Sequence, residues 1–405
     1  MAAVLRRTLG IPLFHSHLST LSTSPVADPN PSSSKTISTS KSAILSESDP
    51  DRLASLFESA TRYPSFRNDR LIYHISIRKL AKHRRPDLIE RLLEAAKSDP
   101  KAPKSEGFHV RLLSLYADAG MLDHAVRTFE AMPGLGRQRS ERSLCALLSA
   151  FLKNGRFDRL QDAFYRASKE FGITPGVSCY NMLLEALCSS NEVEKARTML
   201  DEMPKKGTKP NIICHNSVLN GYLKKGDFAG FEEVLEEIKT KKFKLNVGTY
   251  NIKIAALCAQ GKSFQAEELL NVMKSDGIEP SRISFNTLIN GFIKEGNINS
   301  AMQVFERMKG TKMPKGSGIS PNLKTYIMLL QGLVEEGEFE KAVGIYKECL
   351  NKKWPLPFQT VKVLIEGLAK NSQVDEAKYV IEWMRKAVRG KSIDDWRRME
   401  EALSL

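Results

Sequence analysis

Apolar residues in this chain recur at helical spacing, and the pattern breaks and restarts at fixed intervals. Between Arg282 and Asn322, the residues Phe285, Leu288, Ile289, Phe292 and Ile293 lie three or four apart, which lays one continuous apolar stripe along a helix. Gly296 interrupts the stripe, and its lack of a side chain suits a left-handed helix ending; the pattern then resumes with Ile298, Ala301, Phe305 and Met308. The prediction is two antiparallel helices of about a dozen residues each, too short to persist alone in water, so that stability must come from stacking one hairpin on the next. The small Ala301 lets the two helices approach closely.

The same hairpin is written many times. Four consecutive units from Val177 to Asn322 open with Cys179-Tyr180-Asn181, Cys214-His215-Asn216, Thr249-Tyr250-Asn251 and Ser284-Phe285-Asn286, and the openings fall 35 residues apart. Asn181, Asn216, Asn251 and Asn286 stand fifth in these units, and Asn211, Asn246, Ser281 and Asn322 close them. A mid-unit row of Gly120, Gly155, Gly226, Gly261, Gly296 and Gly337, with Asn191 and Ser372 in the same slot of two further units, extends the ruler in both directions. It divides the chain into nine units: 70–105, 106–140, 141–176, 177–211, 212–246, 247–281, 282–322, 323–357 and 358–392. Self-similarity of this period means stacked supersecondary units, so the fold class is expected to be all-α, a solenoid of helix-turn-helix repeats. Residues 49–69 are expected to form a helix capping the first repeat, and residues 393–405, with Trp396, Met399 and Leu403 on one side, to close the last. The surplus of the seventh unit, Gly310 to Pro321, falls on a turn and reads as a tolerated basic surface loop.

Composition adds a partner and an address. The 405 residues are 41% apolar with a net charge of +14, an excess that suits a polyanionic partner such as nucleic acid. No run approaches the roughly 18 consecutive apolar residues of a membrane span, so a soluble chain without a membrane partner is expected. Residues 1–48 carry Arg6 and Arg7 among Val4, Leu5, Leu9, Ile11, Leu13 and Phe14, followed by a Ser/Thr-rich tract. That is the composition of a transit peptide and disordered linker, and the early arginines favour the mitochondrion, with its matrix as destination, over the chloroplast.

A search for chemistry finds no catalytic constellation. The six cysteines, Cys145, Cys179, Cys188, Cys214, Cys258 and Cys349, follow the repeat geometry and include no C-x-x-C pair. Cys188 and Cys258 hold the same internal place and read as packing residues. No His/Cys set has zinc-ligand spacing, and there is no phosphate-cradling loop or nucleophile elbow. Neither an enzyme, a cofactor, a metal nor a small-molecule substrate is expected.

With its 35-residue unit, its small-polar, aromatic or His, Asn opening and its mid-unit Gly, the chain resembles the pentatricopeptide repeat family over about four fifths of its length; the Trp-Leu-Gly-Tyr pattern of the tetratricopeptide repeat is absent. The resemblance implies a right-handed superhelix that binds single-stranded RNA along its concave face, one repeat per nucleotide, with the fifth and closing residues reading the base. The implied pairs are Asn181 with Asn211, Asn216 with Asn246, Asn251 with Ser281 and Asn286 with Asn322, which the resemblance makes pyrimidine readers, leaning to cytosine for Asn with Asn. Ile213 and Ile283 would wedge against bases from the second place, where Ser178 and Gly248 offer little. The other units carry His74, Val110, Cys145, Ile327 and Lys362 fifth and form no recognisable reading pair. So short an address leaves two functions side by side: a transcript-binding protein of organellar RNA metabolism or translation, and a component of the mitochondrial ribosome contacting rRNA and ribosomal proteins. A protein-binding scaffold is a third. Asparagines that precede helix starts also serve as helix caps, and the two uses are compatible.

Overall fold

The structure is a computed structural model and describes residues 31–100, 105–136, 138–310, 319–354 and 356–387. Among these residues it contains helices and no strand, in two compact units that divide between Ile238 and Lys239. The first unit holds the leading helices Arg70–Lys82, Glu106–Asp118, Glu141–Lys153, Val177–Ser189 and Ile212–Lys225, and the second Val247–Ala259, Arg282–Lys294, Leu323–Glu335 and Phe358–Lys370. Each is followed by an antiparallel trailing helix, from Pro86–Ser98 after the first to Val374–Ala387 after the last. Within each unit successive leading helices pack on one another, and those other than Ile212–Lys225 pack on their own trailing helices, which makes each unit an all-α stack of helical hairpins. No helix of the described residues is long and apolar enough to cross a membrane.

The apolar stripes read from the sequence form the core. Phe285, Leu288, Ile289 and Phe292 are buried against Ile298, Ala301, Phe305 and Met308, and the recurring alanines Ala125, Ala196, Ala266, Ala301, Ala342 and Ala377 have no solvent exposure. Neighbouring repeats approach closely at the glycines ten places into four of the repeats, Gly221, Gly291, Gly332 and Gly367. A Cβ on Gly291 would lie 2.4 Å from Cys258 Sγ and 2.6 Å from Ser263 Oγ, and one on Gly221 would lie 2.5 Å from Cys188 Sγ. Cys188 and Cys258 therefore pack one repeat against the next, and burial raises their thiol pKa values to about 12 and about 11.

All nine leading helices end on a residue in the left-handed region. Six are the glycines of the mid-unit row, two are Asn191 (φ 64°) and Ser372 (φ 59°), and the ninth is Arg84 (φ 56°), whose place in that row the sequence does not betray. The left-handed residue lets the chain reverse while the N–H of the following residue bonds back into the last helical turn, as with Asn297 N–H to Phe292 O at 2.8 Å.

The first unit opens differently from expectation. In place of a disordered linker up to residue 48, Pro31–Ser46 is a helix. Its last turn is anchored: Ile44 is buried, and the Lys79 ammonium donates to the carbonyls of Ile44 (3.2 Å), Leu45 (2.6 Å) and Glu47 (2.9 Å). Helix C-termini leave carbonyls unpaired and carry partial negative charge, so a lysine there satisfies both. Lys41 adds an ion pair with Asp69 at 2.6 Å. Residues 49–69 are also not a single helix but Pro50–Ala60 and the short Pro64–Arg67, which bury Phe57 and Phe66 against Tyr73. Residues 1–30 of the segment 1–48 expected to hold a transit peptide, the central part of the loop after Gly310 (residues 311–318) and the closing segment 393–405 lie outside the described residues.

Two stability outcomes follow from this packing. Ala301→Leu forces extra methylenes into a fully buried contact and should lower unfolding stability by about 1–3 kcal/mol in a denaturant melt. Arg84→Gly removes the penalty of a left-handed side-chain-bearing residue and should raise it by about 1 kcal/mol in the same assay.

Candidate nucleic-acid interface

The closing residue of each repeat is the N-cap of the next leading helix. Asn211 Oδ1 accepts the backbone N–H of Ile213 (3.0 Å) and Cys214 (3.1 Å). Asn246 Oδ1 accepts from Thr249 N–H at 2.9 Å, Ser281 Oγ from Ser284 N–H at 3.3 Å, and Asn322 Oδ1 from Thr325 N–H at 3.1 Å. In the last three the third residue of the new helix reaches back to the cap's own N–H, closing a capping box. The capping alternative is therefore realised at all four closing positions.

The fifth residues are joined to the following repeat. Asn181 Oδ1 accepts from the Cys214 thiol (2.9 Å), Asn251 Oδ1 from the Ser284 hydroxyl (2.5 Å), and Asn286 Oδ1 from the Thr325 hydroxyl (2.9 Å). Asn251 Nδ2 also donates to Ser281 Oγ at 3.4 Å. The structure thus brings Asn181 beside Asn211, Asn251 beside Ser281, and Asn286 beside Asn322 through one shared partner, the third-place residue. Asn216 sits in Ile212–Lys225 of the first unit, whereas Asn246 caps Val247–Ala259 of the second.

All eight polar residues are half-buried, so they belong to the surface and not to the core, while Ser284 and Thr325 beneath them are fully buried. Ile213 and Ile283, one residue before the third-place group, are likewise half-buried. Burial raises the Cys214 thiol pKa, which keeps the thiol protonated and able to donate near neutral pH.

Sequence reasoning overlooked the third-place residues as part of the site, although Cys, Thr and Ser head the repeated openings. It also overlooked a thiol pair. At the junction of units 141–176 and 177–211 the fifth and third places are Cys145 and Cys179, with sulfurs 3.3 Å apart. Their mutual hydrogen bond and burial push the Cys179 thiol pKa far up. Ligand atoms of Glu141, Cys145 and Cys179 lie within 4.8 Å of one another and could hold a soft cation. The two cysteines are 34 apart in sequence and meet only through stacking, which no linear spacing reveals.

Within each unit, half-buried polar side chains recur one helical hairpin apart at the helix starts, which defines a helical-repeat protein. The profile of the PPR repeat family matches residues 175–221, 210–259, 245–292 and 280–335, and the single PPR repeat matches residues 111–137 and 324–353. The chain is 31% identical over 378 residues to the Arabidopsis thaliana small ribosomal subunit protein mL103 (rPPR7), covering 93% of this chain and 90% of that one. A mitochondrial pentatricopeptide repeat-containing protein of Arabidopsis thaliana is 30% identical over 372 residues, 91% of this chain and 86% of the relative. The crystal structure of the maize pentatricopeptide repeat protein PPR10 shares the fold, with a TM-score of 0.58 at 18% identity over 87% of this chain and 54% of its own length, so the chain spans about half of that structure. The chain belongs to the pentatricopeptide repeat family, and its fold is the all-α helical-repeat solenoid.

The cap role carries its own consequence. Asn322→Ala leaves the first N–H groups of Leu323–Glu335 without their side-chain acceptor and should cost about 1 kcal/mol in thermal or denaturant unfolding. A Ser in its place should recover most of that loss.

Proposed function

We infer that this is a mitochondrial protein that binds single-stranded RNA along the row of fifth and closing residues. One observation carries the reading: Asn181 with Asn211, Asn251 with Ser281, and Asn286 with Asn322 are each held side by side at a half-buried surface, one pair per hairpin. A side-chain amide offers donors and an acceptor to the edge of an unstacked base, and unpaired RNA is the nucleic acid whose base edges are open. Asn216 in the first unit and Asn246 in the second are the remaining fifth and closing residues of this reading, and Ile213 and Ile283 supply apolar surface against which a base can rest. The net charge of +14 supplies the attraction for the phosphate backbone. The protein acts by binding and is not an enzyme, and its working place is the matrix.

A second reading has support of its own: the match to a ribosomal subunit protein runs nearly end to end on both chains. Under it the same face contacts rRNA within the mitochondrial ribosome. Sedimentation of a mitochondrial extract separates the two. Co-migration with a ribosomal subunit in salt that strips loosely bound factors supports the ribosomal role, and a wholly free pool contradicts it.

Binding assays test the reading common to both. The purified protein should prefer pyrimidine over purine single strands, and contacts to about four to six phosphates should give a log–log salt slope near −3 to −4. Asn251→Ala combined with Asn286→Ala should weaken binding by about 1–3 kcal/mol. Equal affinity for all strands, unchanged by the double substitution, would remove base reading from the account.

A further inference from the structure

Departures from the repeat pattern coincide at one junction, between units 141–176 and 177–211. The fifth place holds Cys145 where the next four repeats hold asparagine, and the closing place holds Gly176 between the Ser140 and Asn211 of its neighbours. The first place holds Glu141, where the next three repeats begin with Val177, Ile212 and Val247. Stacking brings these places together. Cys145 Sγ meets Cys179 Sγ across the two leading helices, and a Glu141 carboxylate oxygen lies within 4.8 Å of both sulfurs.

The glycine is what admits the carboxylate. Every other closing residue from Ser105 to Asn322 caps the next leading helix with its side chain, whereas Val177–Ser189 has no side-chain cap. A Cβ on Gly176 would stand 2.3 Å from Glu141 Oε1 and 2.7 Å from its Cδ, so any side chain there would push the carboxylate away. One repeat earlier, the equivalent Glu106 spends Oε1 on the closing serine, accepting from Ser140 N–H at 3.0 Å and Ser140 Oγ at 2.6 Å. Gly176 has no hydroxyl to make that claim on Glu141.

Two sulfurs and a carboxylate oxygen are the donor set of a borderline-soft cation. A tetrahedral zinc ion ~2.3 Å from each sulfur holds the pair ~3.8 Å apart, about 0.5 Å beyond the 3.3 Å that separates them, a change that side-chain rotation supplies. Cys179 is buried, Cys145 half-buried and Glu141 exposed, so an ion enters from the solvent side and keeps a fourth position for water.

We propose that Glu141, Cys145 and Cys179 form a binding site for a thiophilic divalent cation of the zinc class, which joins the leading helices of two adjacent repeats. On binding, each thiol gives its proton to solvent and each sulfur becomes a thiolate ligand. The site is independent of the RNA reading.

Cobalt(II) is the probe, because thiolate ligation gives it a sulfur-to-metal charge-transfer band and a tetrahedral field gives it intense visible bands. The full chain, held reduced and stripped of metal with a chelator, should take up one equivalent of cobalt with both signatures, release it to zinc and ignore magnesium. Cys145→Asn, which installs the fifth residue of the following repeats, should abolish the charge-transfer band, and Cys258→Ala should keep it. Gly176→Asn should weaken zinc binding at least about tenfold by displacing Glu141, while its metal-free melting temperature does not fall, since the new side chain caps the helix. Excess zinc should raise the melting temperature of the wild type and leave that of Cys145→Asn unchanged. A wild type without the band, a band that survives in Cys145→Asn, or equal zinc affinity in wild type and Gly176→Asn overturns the three-ligand site.

Discussion

Everything in this structure depends on helices too short to stand alone. Thirteen residues of leading helix gain little from their own hydrogen bonds, because nucleation consumes most of what propagation returns. Their stability comes from neighbours on both sides: the trailing helix of the same hairpin, met at alanines with no exposed surface, and the next leading helix, met at small residues such as Gly221 and Gly291. A left-handed residue at the end of each leading helix makes the reversal the same every time. Regular stacking of equal parts then places equivalent side chains at equivalent points.

That regularity turns a local device into a shared surface. A cap is needed wherever a helix begins, and the closing Asn or Ser provides it. Because the cap sits where one hairpin ends and the next starts, it lies beside the fifth residue of the hairpin behind. The buried Ser284 and Thr325 each join a cap to that fifth residue, so the group that closes a capping box also holds the neighbouring amide. The side chains proposed to meet RNA are thus held by helix starts alone.

Much of this was legible in the sequence, for reasons that differ by residue. The apolar stripe of Phe285 to Ile293 and the glycine at its end both report a hairpin directly, since each is a local demand of helix geometry. Arg84 occupies the same left-handed slot without advertising it, because packing on either side imposes a conformation its own side chain disfavours. The helix Pro31–Ser46 escaped notice because its Ser/Thr-rich composition carries few apolar residues, and its anchor, Lys79, lies more than thirty residues ahead. The fifth and closing asparagines stood out by recurrence. The third-place hydroxyls recurred just as plainly, but their partners are amides one repeat back, and Cys145 and Cys179 meet by the same rule. Contacts set by the repeat translation become visible only once hairpins are stacked.

The most direct measurement of the central claim is ultraviolet crosslinking of the purified protein to a pyrimidine-rich single strand, with the crosslinked peptides sequenced by mass spectrometry. Adducts are expected at the starts of the leading helices, on peptides carrying Asn181, Ile213, Asn251, Ile283 and Asn286. Adducts confined to the trailing helices, or none above a background protein, would contradict that claim.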